Sequence, residues 1–383
     1  MKILYTNYHK GDGGGHTTYL TTLIQHLGPR HHVALAAPRT SRLYGQARQA
    51  GLAEAMAVDY SSRIWHTPAL VSRLADIMAA GEFDIVHVNG SLDHRCAMLA
   101  RMKMAGPGPR IVYTKHDNHE VSGLGAFLRA SLATDHVIAV CEDTHRKLQR
   151  SAYARRPIST VKNGVDTDWF QPYSHAAGAG VRNSWPVRTA GRLVIGSNAG
   201  TASYKNWLHM VQAVALLPPT LREQVLVAVA GQPPTVEQQA RVLALGMEDH
   251  VYYAGLLPDV RPFVAALDIG FVLSTRIETI SFACREMMAM GKPVMVSRYA
   301  GLPENITDGV DGWIVDPGSP AAIAQCLAQI LLQRGRLRAM GRSARAKSVA
   351  EFGVRRFVGR TLDIYDSVLA ACHHPARAAG TSL

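Results

Sequence analysis

The sequence predicts an α/β protein made of two doubly wound, parallel-sheet domains, and three observations carry that prediction. Short apolar runs alternate with helical patterns along most of the chain, as expected of strands buried on both faces of a parallel sheet. A stretch without apolar periodicity interrupts the alternation midway, so the pattern runs twice. The length, 383 residues, exceeds what one ordinary hydrophobic core organises.

In chain order, residues 2–6 read as a buried strand, followed by a glycine loop and a helix with Tyr19, Leu20, Leu23, Ile24 and Leu27 on one face. Strands at 32–37, 84–88, 110–114 and 136–140 complete the first half. The prolines and glycines of QPYSHAAGAGVRNSWPVRTAGR, residues 171–192, read as a linker. Strands at 193–196, 225–230, 251–254, 269–273 and 293–297 build the second half. Residues 336–369 read as helical and amphipathic. The expected domains are thus 1–170 and 193–354, joined by the linker 171–192.

Composition narrows the function classes. A hydrophobic fraction of 47% with 18% charged residues fits a folded globular chain. Five cysteines, Cys96, Cys141, Cys284, Cys326 and Cys372, are scattered without a CxxC pair. That argues against a disulfide framework or zinc site and favours a reducing compartment. The opening MKILY is not a signal peptide, and no stretch approaches 18 uninterrupted apolar residues, so the expected location is the cytoplasm. The net charge of +12 calls for an anionic partner or a solvated basic surface. No recognition-helix, zinc-finger or aromatic RNA-binding pattern accompanies it, which sets nucleic acid aside. Phosphorylated substrates and peripheral contact with an anionic membrane stay open.

Candidate site residues follow from where strands end, because open α/β sheets bind ligands beyond the carboxyl ends of their strands. The loop Gly11-Asp12-Gly13-Gly14-Gly15-His16 lies there; Gly14 and Gly15 let the backbone approach a ligand at a helix N-terminus, or serve only a tight turn. His116 and Asp117 follow the strand at 110–114, where an imidazole can hydrogen-bond into a cleft. His87 lies inside a strand and reads as a core histidine. The triplet Asp166-Thr167-Asp168 offers either a divalent-metal site or a chain reversal; the preceding Asn163-Gly164 turn signal favours the reversal.

In the second half, Lys205 follows the loop Gly196 to Gly200 and is either a phosphate-pairing cation or a surface lysine. The strongest constellation is Ser274-Thr275-Arg276-Ile277-Glu278 followed by Glu286. With a helix starting near Ser281, Glu278 sits in the loop, Glu286 a turn and a half into the helix, and the backbone amides of Thr279, Ile280 and Ser281 face a bound phosphate. Alone, two glutamates at this spacing also fit a solvated helix face.

These residues resemble the retaining glycosyltransferases of GT-B fold, specifically the group 1 set also called glycosyltransferase family 4. The resemblance covers nearly the whole chain. It rests on the opening glycine loop, VIAVCEDTHRKL, VKNGVDTDWFQP, the spaced glutamates and MGKPVMVSRYAGLPENITDGVDGWIVDPGSP. It implies two Rossmann-like domains around an inter-domain cleft, with a C-terminal crossover helix, about 355–375, packing back on the first domain. It implies that Glu278 contacts the transferred sugar, Glu286 the ribose hydroxyls, Lys205 the phosphates and His116 the donor sugar, with Gly14 and Gly15 bordering donor and acceptor. It implies no metal and no cofactor, a nucleotide-sugar donor, a glycan or lipid-linked acceptor, and a setting such as lipopolysaccharide or other surface-glycan synthesis. Two departures stand out: Ser197 occupies the family's arginine position, leaving Arg276 as one substitute, and Thr279-Ile280-Ser281 replaces glycine-phenylalanine-glycine. An epimerase or hydrolase of the same architecture, or a non-catalytic nucleotide-sugar-binding protein, are the competing readings.

Overall fold

Strand-forming runs and amphipathic segments alternate in the computed structural model as the sequence pattern demands. It describes residues 1–51, 53–63, 67–316 and 318–373. These residues divide into two compact units: Met1–Gly164 with the chain from Arg355, and Val165–Val354.

The first unit is built on seven parallel strands among the described residues: β1 (Lys2–Thr6), β2 (His32–Ala37), β3 (Glu54–Ala57), β4 (Ile85–Val88), β5 (Arg110–Lys115), β6 (His136–Ala139) and β7 (Ile158–Thr160). Their spatial order is β3-β2-β1-β4-β5-β6-β7. The second unit carries β8 (Leu193–Ser197), β9 (Val225–Ala230), β10 (Val251–Gly255), β11 (Ile269–Val272), β12 (Val294–Ser297) and β13 (Gly312–Val315). These run in the order β10-β9-β8-β11-β12-β13, again parallel. In each sheet the order reverses beside the first strand, between β1 and β4 and between β8 and β11. That is the topological switch point where doubly wound folds open a crevice. Helices bury both faces. Leu74, Met78 and Ala97 pack on one side of the first sheet; Trp207, Met210 and Leu327 on one side of the second and Met287, Met288 and Phe352 on the other. Burying apolar side chains of this kind contributes about 1.5–3 kcal/mol each before the entropy of ordering is counted.

Three strands escaped the sequence reading, β3, β7 and β13, and all three are sheet edges. β3 and β7 are largely half-buried, so neither shows the continuous apolar run of a central strand.

One expectation is corrected. Residues 171–192 are not a bare linker: they contain the helix His175–Asn183, capped by Ser174, whose side chain accepts from the Ala177 amide. Arg182 forms an ion pair with Asp268 at 2.6 Å, and the buried Trp185 stacks on Tyr252 with ring centroids 4.3 Å apart. These two anchors tie the segment to the second unit, and its own weak helix propensity does not reveal them. Residues 336–369 are helical, as their pattern predicts, and form two helices, Leu337–Phe352 and Val354–His373. The break falls at Gly353, which is extended and bridges to Val165. Val165 N donates to Phe352 O at 2.8 Å, and Val354 N donates to Val165 O at 3.1 Å, so the helix stops where the chain leaves the second unit.

The final helix, Val354–His373, belongs with the first sheet. Tyr365 hydroxyl donates to Tyr5 hydroxyl at 3.2 Å and lies 2.5 Å from His87 Nδ1, while His87 Nε2 lies 2.6 Å from Thr114 Oγ1. His87 is thus a fully buried, fully partnered histidine.

Candidate functional site

The second unit gathers four candidate side chains around its switch point. Lys205 ends a short 3-10 turn, Ser203–Lys205, and the loop 274–281 carries Glu278 from the end of β11 towards the helix Phe282–Ala289. Lys205 Nζ donates to Glu278 Oε2 at 2.7 Å. Ser274 Oγ donates to the same oxygen at 3.2 Å. Neighbouring Asn206 fastens the two segments together, its Nδ2 donating to Thr275 Oγ1 at 2.7 Å and to Leu273 O at 3.2 Å. A single oxygen therefore takes both a cation and a hydroxyl, which leaves the ammonium neutralised and the second carboxylate oxygen outside those two bonds.

Glu286 stands one and a half turns into the helix, as its spacing predicts. Its Oε2 accepts from Asn198 Nδ2 at 2.6 Å, on the loop after β8. Burial pushes the Glu286 carboxyl up to about 7, with the Asn198 hydrogen bond acting in the opposite direction. Among the described residues the buried Asn198 Oδ1 has no hydrogen-bond partner, so an acceptor atom lies beside the carboxylate. The Asn198–Glu286 pair spans 88 positions of sequence, and the sequence reading missed Asn198.

Between the glutamates, Thr279, Ile280 and Ser281 are all buried. Asn305 Nδ2 donates to Ile280 O at 2.7 Å and Arg285 Nε donates to Asn305 Oδ1 at 2.8 Å, which pins the loop from beneath. Ser281 caps the helix by accepting from Cys284 N at 3.4 Å. Its φ is 55°, and that of the exposed Ile277 is 52°. Both are left-handed values that non-glycine residues adopt at a cost of order 1–3 kcal/mol. Ser281 stands where the resemblance expects a glycine, and its backbone adopts a glycine-like angle. Arg276 is exposed, and Ser197 Oγ accepts from the Ala199 amide at 3.2 Å.

The first unit presents a different surface at its own switch point. Gly13 has φ 67° and precedes the helix Gly14–Leu27; a Cβ there would lie 2.5 Å from Thr17 Oγ1, so only glycine fits. Gly14 and Gly15 open the helix, both exposed. Gly14 N donates to Asp12 Oδ2 at 3.3 Å, while Asp12 Oδ1 pairs with Arg42 at 2.7 Å. The loop thus supplies its own carboxylate at the helix N-terminus.

His116 follows β5. Its ring centroid lies 4.2 Å from that of His16, which in turn lies 4.2 Å from that of His9; Tyr19 meets His116 edge-on at 4.6 Å. His116 Nε2 donates to Asn89 Oδ1 at 2.8 Å. Asn89 Nδ2 donates to Thr6 O at 3.0 Å, and Asn89 N donates to Asp93 Oδ2 at 2.8 Å. Thr6 Oγ1 donates to the same Asp93 oxygen at 2.7 Å. Burial, reinforced by the neighbouring imidazoles, holds His116 well below the ordinary imidazole value and His16 down to about 3. Burial pushes Asp93 up to about 7. His9, Asn89 and Asp93 were absent from the sequence reading, and His16 stood there only as the end of the glycine loop, with no role of its own. Asp117 pairs instead with Lys115.

Asp166 Oδ1 accepts from the amides of Asp168 and Trp169, each at 2.9 Å, the geometry of a chain reversal. Among the described residues no group of three or more His, Cys, Asp and Glu side chains is arranged to hold a metal ion.

Comparisons with known proteins agree with this architecture. A family model for Glycosyltransferase Family 4 matches residues 13–169, and one for Glycosyl transferases group 1 matches residues 189–347. The chain is 26% identical over 309 residues to an N-acetyl-alpha-D-glucosaminyl L-malate synthase of Bacillus anthracis, covering 79% of each protein. It is 25% identical over 358 residues to a GDP-mannose-dependent alpha-(1-6)-phosphatidylinositol monomannoside mannosyltransferase of Mycolicibacterium smegmatis, covering 90% of this chain and 92% of that one. The crystal structure of Anabaena Alr3699/HepE in complex with UDP superposes with a TM-score of 0.83 at 20% identity, over 96% of this chain and 100% of that one. With one model on each half and both sheets in the doubly wound order, the chain belongs to the group 1 glycosyl transferases of GT-B fold and is a nucleotide-sugar-dependent glycosyltransferase.

Proposed function

We propose that the chain moves a glycosyl group from a nucleoside-diphosphate sugar to a glycan or lipid-linked acceptor, with retention and without a metal, in lipopolysaccharide or other surface-glycan synthesis. The observation that carries this reading is the convergence of Lys205, Glu278, Asn198 and Glu286 on the switch point of the second sheet. In this reading Glu286 and Asn198 bind the ribose hydroxyls, and Glu278 accepts from hydroxyls of the transferred sugar. Lys205 exchanges its carboxylate partner for the diphosphate. The amides of Thr279 to Ser281, at the start of the helix Phe282–Ala289, add donors to the same phosphates. His116 and the loop at Gly14 and Gly15 serve the sugar and acceptor.

The bond between the anomeric carbon and the diphosphate oxygen breaks, leaving the electron pair on the phosphate. The acceptor oxygen bonds to the anomeric carbon from the same face, and its proton passes to the departing phosphate. Lys205 and the backbone donors stabilise the charge that accumulates there. A nucleotide-sugar donor, a surface-glycan acceptor and peripheral contact with an anionic membrane fit the net charge of +12. The lipid-directed mannosyltransferase among the relatives supports a lipid-linked acceptor.

A thermal-shift panel of nucleotide sugars tests the donor, since a ligand bound only by the folded chain raises its midpoint by mass action. One sugar nucleotide should raise the midpoint in wild type and fail to do so in Glu286→Ala. Conversion of that donor with no acceptor present would favour an epimerase or hydrolase instead. Binding without any turnover would favour a non-catalytic binding protein.

A further inference from the structure

Asn89 and His116 stand just beyond the carboxyl ends of two neighbouring strands, β4 and β5, which pair in parallel up to Val88 and Tyr113. The contact between the two side chains has a polarity that their surroundings decide. An asparagine amide can be turned either way about its last bond, so the partners of its two ends settle which end is the oxygen. Asn89 Nδ2 lies 3.0 Å from Thr6 O and 3.2 Å from His87 O. Both are backbone carbonyls, which accept and never donate. Turned over, the buried amide would set its own oxygen against two others and forfeit both bonds. Oδ1 is therefore the end that faces His116 Nε2, at 2.8 Å. An acceptor in that place requires Nε2 to carry a proton.

The frame around the pair is fixed as well. Asn89 N donates to Asp93 Oδ2 at 2.8 Å and Thr6 Oγ1 donates to the same oxygen at 2.7 Å, so one carboxyl ties together the ends of β1 and β4. The helix Gly14–Leu27 sets two rings against the imidazole, Tyr19 edge-on at 4.6 Å and His16 at 4.2 Å. The Tyr19 hydroxyl lies 3.1 Å from Thr114 Oγ1, which lies 2.6 Å from His87 Nε2. Burial, and after it the neighbouring imidazoles, keep His116 uncharged. A neutral imidazole carries one proton, so a proton on Nε2 puts the lone pair on Nδ1.

We propose that Asn89 is a positioning residue that locks His116 in its Nε2-protonated form, so that the ring meets the substrate through Nδ1 as a hydrogen-bond acceptor. Such an acceptor takes a sugar hydroxyl and cannot donate to a phosphate oxygen. The inference rests on the placement of His116 at the sugar proposed above and gives that contact its direction. It leaves the charge on the departing phosphate to Lys205 and the backbone amides.

Nitrogen-15 NMR of the full chain labelled at histidine tests it, with the His116 signals identified by their loss in His116→Gln. At pH 7 wild type should show a protonated Nε2 and an unprotonated Nδ1. In Asn89→Ala the ring should become a mixture of the two tautomers, and kcat should fall by about tenfold, the worth of one hydrogen bond. Adding Asn89→Ala to His116→Gln should cost nothing further, because Asn89 acts through the ring. A proton on Nδ1, or on both nitrogens, in wild type overturns the proposal whether or not Asn89→Ala folds. An unchanged tautomer in folded Asn89→Ala overturns the role of Asn89. Wild-type turnover by His116→Gln overturns the contact with the sugar, while the tautomer, read from a spectrum that needs no turnover, stands or falls separately.

Discussion

At the switch point of the first sheet, burial keeps ionisable groups neutral; at that of the second, opposite charges are held in contact. Around β1 and β4 the side chains are imidazoles, a phenol and an amide, with His16 and His116 held uncharged and Asp93 pushed up to about 7. Around β8 and β11, Lys205 and Glu278 form an ion pair at 2.7 Å, beside Glu286, a carboxyl that burial raises to about 7. The two sheets share a strand order about their switch points, so the fold supplies the location of a site and the residues alone decide its chemistry. Neutral imidazoles and amides suit hydroxyl recognition, whereas a lysine held by a replaceable carboxylate suits an incoming phosphate.

The largest expected effect tests the second region. Glu286→Ala should lower kcat/KM by on the order of 10²–10³-fold, the loss expected for charge-assisted hydrogen bonds to two hydroxyls. Circular dichroism should remain that of wild type; near-normal turnover would break the donor assignment. Next, Lys205→Ala should reduce kcat by roughly 10²-fold. Because it also frees Glu278, adding Glu278→Gln should cost less than the product of the single effects. Fully multiplicative losses would mean that the ion pair has no role in donor binding.

A smaller effect sharpens the electrostatic contrast. Asp93 and Glu286 are both raised to about 7. Between the ordinary carboxylate range and pH 7 the folded chain therefore holds protons that the unfolded chain has released. Their contribution to stability is complete at low pH and is lost as pH rises through 7. His16, His87 and His94, pushed down to about 3, act the other way: the unfolded chain takes up protons that the folded chain excludes. Their contribution is lost as pH falls below the ordinary imidazole value. The thermal midpoint should peak near the imidazole value of about 6.5. Asp93→Asn keeps an acceptor for Thr6 and Asn89 and should flatten the alkaline fall. A wild-type midpoint that climbs steadily from pH 6.5 to 8 would contradict the raised Asp93 and Glu286 carboxyls.

The smallest effect concerns the glycine loop. Gly13→Ala forces a side chain into a left-handed φ and against Thr17, and should destabilise the chain by about 1–2 kcal/mol, a fall of a few degrees in Tm. An unchanged midpoint would show that the loop rearranges freely and is not the rigid border of a site.

Much of the scaffold was legible locally. The apolar runs of β1, β2, β8 and β9 lie where the pattern predicts, because a central parallel strand buries both faces and so must be apolar throughout. The helix after Ser281 and the placement of Glu286 within it were likewise readable from a capping serine and helical spacing. Edge strands β3, β7 and β13 were not, since an edge needs less burial. The helix His175–Asn183 was hidden because its stability comes from Arg182 and Trp185 meeting residues some eighty positions and more than sixty positions away, Asp268 and Tyr252.

The sequence by itself determined the two-domain α/β class, the loops that end on each switch point and the family to which the motifs belong, because periodicity, turn residues and motif order are local properties of the chain. Only the tertiary structure decided which partners those loops acquire: Asn198 for Glu286, Glu278 for Lys205, Asn89 for His116, and a break at Gly353 that returns the last helix to the first sheet. Such pairings join residues far apart in sequence, and no local pattern encodes which carbonyl, amide or carboxylate will be within reach once the sheets have formed. The same holds for burial, which converts an ordinary glutamate at Glu286 into a carboxyl titrating near neutrality.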